Sequence, residues 1–233
     1  EINGITFGGV GRGTTVDHIE VAFNLDDGVE FFGGTVDVKY VSVLFVGDDG
    51  IDTDQGYSGR IQYALVMLGE DSHHGAEMDG SSTSGESLQS FPQLFNALFV
   101  GHANNAPGSV SSDDSDIGMI RLREGTGGRF GNIVMTNVAG YGVRRSECYD
   151  EDCSTSDFSY SDRNNVFWSA DNIVYTIGSG QQFTQDTSCN GKSTLTSSNV
   201  DPQLVMMPTT PAYDASFYDP RPTSGSNSFS SVT

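Results

Sequence analysis

Three segments of the chain repeat one another: Asp26-Asp27-Gly28-Val29-Glu30, Asp48-Asp49-Gly50-Ile51-Asp52 and His73-His74-Gly75-Ala76-Glu77. Their glycines stand 22 and 25 residues apart, and each is followed by an apolar residue and then an acid. Self-similarity at this period marks a solenoid, because one such unit cannot bury its own apolar face and needs neighbours stacked on it. Equivalent positions then lie one above another. The repeat therefore predicts a column of carboxylates as well as a fold, with the glycine making the corner.

Between the repeats run longer alternating segments: Thr15 to Phe23, Val36 to Phe45, Arg60 to Met67, Leu94 to Val100, Phe130 to Met135 and Asn172 to Ile177. Their alternation and their β-branched and aromatic residues read as strand, and no window carries a helical period. Strands wound the same way, coil after coil, give parallel sheets with right-handed crossovers. The expected fold is all-β: a right-handed parallel β-helix of roughly six or seven coils. The coils are expected over residues 1–198. Two Ser-, Gly- and Asn-rich stretches, 80–87 and 102–116, are expected as extruded loops, and 199–233 as an irregular C-terminal tail or cap. The short strand is expected again at Gly118 and Gly142. A propeller is excluded, since its blades need about 40 residues each.

The formal charge is −20, from 31 acids against 11 Lys and Arg. Such a surface excludes nucleic acid and an anionic membrane as partners, because both need a positive face. No apolar run is long enough to span a bilayer. Cys148 and Cys153 bracket the loop Tyr149 to Asp152 and are expected to close it as a disulfide, which points to an extracellular or cell-surface protein and leaves Cys189 without an assigned partner. The chain begins at Glu1 rather than Met, which reads as a processed or partial product.

One stretch runs from Asn3-Gly4-Ile5-Thr6-Phe7-Gly8-Gly9-Val10-Gly11 through Asp26-Asp27-Gly28-Val29-Glu30-Phe31-Phe32-Gly33-Gly34-Thr35-Val36 to Asp54-Gln55-Gly56-Tyr57. It resembles secreted right-handed β-helix proteins of marine bacteria and Bacteroidetes, and Asp219-Pro220-Arg221-Pro222 resembles their closing motif. The resemblance covers residues 3 to about 67 closely and the remainder loosely. It implies the β-helix and an extracellular address. It brings no activity and hence no catalytic residues, and it implies further coils ahead of the Asn-Gly segment or an open helix end at Glu1.

Strand alternation turns Glu30, Asp52 and Glu77 outward on one face. Asp26, Asp27, Asp48 and Asp49 at the preceding turns add oxygens. Hard oxygen clusters favour Ca²⁺, so these seven residues are the candidate metal ligands; a solvated acidic ladder is the other reading. Arg121, Arg123, Arg144 and Arg145 either continue this face as a glycan-contacting patch or balance Glu124, Glu147 and the Asp150 to Asp152 loop. His73 and His74 read as an exposed turn pair, His18 as a surface residue, and Phe31, Phe32, Tyr57 and Trp168 mainly as packing. Two functions remain in play. One is a non-catalytic structural or adhesive module, self-associating end to end or continued by further coils of its own polypeptide, as in a surface-fibre subunit. The other is a Ca²⁺-dependent polysaccharide lyase or hydrolase, or a glycan-binding module.

Overall fold

The computed structural model describes residues 2–81, 89–103, 118–148, 166–168, 172–189, 197–198, 201–206 and 219–224. Each coil contributes one short and one long strand. The short ones are β1 (Ile5–Gly8), β3 (Val29–Phe32), β5 (Ile51–Asp54), β7 (Ala76–Asp79), β9 (Gly118–Arg123), β11 (Tyr141–Arg145) and β14 (Gln181–Gln185), hydrogen-bonded in that order into a seven-stranded sheet. The long ones are β2 (Thr15–Ala22), β4 (Asp37–Leu44), β6 (Arg60–Met67), β8 (Gln93–Val100), β10 (Gly128–Val138), β13 (Asn172–Thr176) and the two-residue β15 (Ser197–Ser198), with β12 (Val166–Trp168) also on β10. All these pairings are parallel. The fold is the expected right-handed parallel β-helix.

Each long strand bends in its middle. His18, Tyr40, Tyr63, Asn96 and Asn132 all have φ between 52° and 62°, and the ladder steps over them, pairing Asp17 with Lys39 and then Ile19 with Val41. A left-handed residue reverses the pleat locally, so one long strand serves two faces of the coil. These residues stack outside the core: the His18, Tyr40 and Tyr63 rings lie 4.4 and 5.0 Å apart, and Asn132 Nδ2 donates to Asn96 Oδ1 at 3.1 Å.

Inside, short-strand residues Val29, Ile51, Ala76, Ile120 and Val143 pack against Val43, Val66 and Phe99 of the long strands. The rings of half-buried Phe7 and buried Phe31 and Tyr57 form a stack at 5.0 and 4.5 Å, and the Tyr57 hydroxyl donates to Val36 O at 2.9 Å. The repeated glycines serve this packing rather than a corner. Their φ values are not positive, but a Cβ on Gly28 would lie 2.4 Å from Val43 Cγ1 and 2.5 Å from Gly50 O. Gly50 meets Val66 and Gly75 O in the same way. Gly9, Gly33 and Gly56, whose φ is positive, sit instead at the turn after the short strand.

Two expectations need correction. Gly118 is not the glycine of its coil: Ala76 pairs with Ile120, so Met119 holds that position and Gly118 lies one residue earlier. Cys148 is bonded to Cys189, not to Cys153. Stacking β14 on β11 brings together the segments that follow them, which separation along the chain hides. Cys153 and the Asp150 to Asp152 loop lie outside the described residues, as does most of the two stretches expected as loops. In the tail, β16 (Leu204–Met206) and β17 (Asp219–Pro222) form an antiparallel pair. Leu204, Pro220 and Pro222 face the His18, Tyr40 and Tyr63 ladder across a groove of about 620 Å³.

Because the atoms next to Gly28 are backbone and a β-branched side chain, Gly28→Ala is expected to cost about 2–3 kcal/mol. Urea unfolding of the variant would read this as a lower midpoint with an unchanged slope.

Candidate functional site

The outer face of the short-strand sheet carries the charge. Register places Thr6, Glu30, Asp52, Glu77, Arg121, Arg144 and Thr184 in one outward column. Two residues further along, Asp79 pairs with Arg123. Arg145 does not share this face: it pairs with Leu122 in the inward column and is only 1% exposed. Adjacent strand residues point to opposite faces, so Arg144 and Arg145 could not both face out.

The turn before each short strand supplies a second, deeper column. Asp49 N donates to Asp27 Oδ1 at 3.1 Å, and His74 N donates to Asp49 Oδ1 at 2.7 Å. Each aspartate thus caps the backbone of the next coil. His74 takes the place of an aspartate in the third coil; it is 1% exposed, with Nδ1 2.7 Å from Asp49 Oδ1. It is therefore buried, not an exposed turn residue. His73 Nδ1 lies 2.6 Å from Asp48 Oδ1. Arg123 has Glu124 beside it, as the sequence suggested, and the arginines also meet acids that the sequence did not suggest. Arg121 Nη1 lies 3.3 Å from Glu77 Oε1, Arg123 Nη2 lies 2.9 Å from Glu77 Oε2, and Arg123 Nε donates to both Asp79 oxygens at 2.7 and 2.9 Å. Arg144 Nη2 donates to Asp186 Oδ1 at 2.6 Å.

At the arginine-poor end the carboxylates face one another. Glu30 accepts from Asn3 and shares a hydrogen bond with Asp52. Asp52 Oδ1 is shielded from solvent and has no hydrogen-bond donor among the described residues. Burial and then the neighbouring Asp49 carboxylate push Asp27 up to about 8, and the same two causes push Glu77 up to about 8. Burial and then nearby carboxylates raise Asp49 and Asp52 well above the usual carboxylate range; burial also raises Glu30 and Asp79.

Such a set must hold protons or hold a cation. The seven acids singled out from the sequence fall into four groups whose ligand atoms lie within 4.8 Å of one another: Asp26, Asp27 and Asp48; Asp27, Glu30 and Asp52; Asp48, Asp49 and His73; Asp49, His74 and Glu77. The all-oxygen groups suit a hard ion such as Ca²⁺. The second also contains the donorless oxygen of Asp52, which fits a missing positive partner. The roles of Asn3, His74, Asp79 and Asp186 escaped sequence reading, because each is defined by a neighbour a coil or more away.

The geometry defines a class: a parallel β-helix with a charged ladder along the outer face of one sheet. A family model described as a pectate-lyase-like β-helix domain matches residues 1–200. The chain belongs to that family. No match was found among curated proteins or among solved structures. No helix among the described residues is long and apolar enough to cross a membrane.

A carboxyl whose native pKa stands above its unfolded value keeps its proton in the fold. Its contribution is therefore full at low pH and is lost as pH rises through the native value. In chelator, calorimetry is expected to show the melting temperature falling between about pH 5 and about pH 8. A melting temperature that climbs across this interval would mean that the buried carboxyls ionise without penalty.

Proposed function

We propose that the chain is a non-catalytic, extracellular adhesive module that holds an anionic polysaccharide on the outer face of its short-strand sheet, with a Ca²⁺-like cation seated among Asp27, Glu30 and Asp52. The observation that carries this reading is the single outward column in which Glu30, Asp52 and Glu77 give way to Arg121 and Arg144. A chain of net charge −20 repels a polyanion along most of its surface. A divalent ion at the acid end would invert the local field and bridge sugar carboxylates, while the arginine end of the same face lowers the repulsion a polyanion meets there. The pectate-lyase-like family supports polysaccharide as the ligand class.

Binding suits the site better than hydrolysis. Glycosidase carboxylates stand about 5 to 9.5 Å apart to admit the anomeric carbon or a water, whereas Glu30 and Asp52 share a hydrogen bond. Arg121 and Arg123 are each engaged by Glu77, which opposes the loss of a proton that a lyase base requires. The disulfide between Cys148 and Cys189 supports an oxidising compartment, in keeping with the secreted proteins that residues 3–67 resemble.

Asp52→Asn tests the cation and the glycan together. Removing a carboxyl whose ionised form burial and its neighbours disfavour is expected to raise the melting temperature of the chelated protein at neutral pH and to abolish the further rise on adding Ca²⁺. Retention of polygalacturonate and alginate in affinity electrophoresis should require Ca²⁺ and weaken about tenfold or more in the variant. Equal retention in chelator, or none under any condition, would overturn the reading. Release of unsaturated sugars, seen by ultraviolet absorbance, would overturn its non-catalytic part.

A further inference from the structure

We infer that the groove between the β16–β17 hairpin and the long-strand sheet binds a single-chain amphiphile, a small molecule with a cationic head and an aliphatic tail. The inference concerns the other sheet and does not rest on the glycan reading. The floor of the groove is one column of that sheet, in which register sets Glu20, Ser42, Leu65, Leu98 and Val134 on successive coils. Their chain neighbours Val21, Val43, Val66, Phe99 and Met135 are buried in the core, so alternation turns the column outward. At about 4.8 Å per coil it runs about 19 Å. Along it the chemistry changes once. A carboxylate and a hydroxyl come first, then three aliphatic side chains, which is the order of groups that receives an amphiphile laid lengthwise.

The walls suit the same occupant. Leu204, Pro220 and Pro222 bring apolar surface from the hairpin, and the enclosed 620 Å³ lies within the roughly 300–1,000 Å³ of small-molecule sites. Arg221, between the two prolines, does not line the groove; its Nε donates to Asp219 Oδ1 at 2.7 Å. On the other wall Tyr40 and Tyr63 are 46% and 44% exposed, but Tyr40 is stacked between His18 at 4.4 Å and Tyr63 at 5.0 Å. The ladder therefore turns ring edges and hydroxyls to the groove, not faces on which a sugar could stack. Charge selects the head group. The described residues lining the groove include no lysine or arginine, and His18 Nδ1 is taken up by Asp17 Oδ1 at 2.8 Å. An anionic head would meet Glu20 and the field of a chain of charge −20, whereas a cationic head is drawn by both.

The test is calorimetric titration of the 233-residue chain with dodecyltrimethylammonium below its micelle-forming concentration. Salt at about 0.2 M screens loose attraction to the acidic surface. One molecule is expected per chain, with a dissociation constant of about 10–100 μM and at least about tenfold tighter than dodecanoate. Glu20→Gln, on an exposed side chain, should cut that preference at least about fivefold at an unchanged melting temperature. Leu98→Gln should weaken the ammonium probe and the uncharged dodecyl maltoside alike, because it alters the floor under the tail. The inference is overturned if no ammonium probe binds, or if many bind weakly with no single-site phase. A head-group preference that Glu20→Gln leaves in place overturns it too, as does an affinity indifferent to Leu98→Gln.

Discussion

Backbone hydrogen bonds hold successive coils about 4.8 Å apart, so the nearest neighbour of most residues is the one a full repeat away. Everything else in the structure answers to that spacing. At the repeated glycines, the carbonyl of one coil and a valine of the facing sheet occupy the place where a Cβ would stand. At the corners, side chains must lie flat on their counterparts, hence the Phe7, Phe31 and Tyr57 stack inside and the His18, Tyr40 and Tyr63 stack outside. A preference that would be local in an ordinary sheet is repeated along an axis.

The same spacing makes the acidic face costly. Carboxylates in register cannot move apart, and the turn aspartates are buried as well. The chain limits the repulsion in three ways. Asp27 and Asp49 each accept a backbone N–H from the next coil. A histidine takes the aspartate position in the third coil. Arginine then replaces acid in the outward column, first at Arg121 and then at Arg144. What is left at Asp27, Glu30 and Asp52 has little positive charge nearby among the described residues, and the proposed cation would answer that imbalance.

Much of this was legible in the sequence, for a definite reason. The period of 22 to 25 residues and the alternation after each glycine dictate both the coil and the face to which Glu30, Asp52 and Glu77 belong. Reading failed where the cause lies out of local view. The left-handed corners fall on His18, Tyr40 and Tyr63, bulky residues that seldom adopt that conformation, and only Asn96 and Asn132 hint at it. Gly118 looked like another repeat glycine, yet the register runs one residue later. Cys153 looked like the partner of Cys148 because it is close in sequence, whereas coil stacking selected Cys189. Arg145 was grouped with Arg144 although alternation alone assigns them to opposite faces.

The bond between Cys148 and Cys189 has a mechanical side. It joins the segments that follow β11 and β14, one coil apart, across a sequence separation of 41. A load reaching Cys189 is passed to Cys148 by a covalent bond as well as through the ladder of β14 on β11, so these two coils cannot be drawn apart at that corner by breaking hydrogen bonds alone.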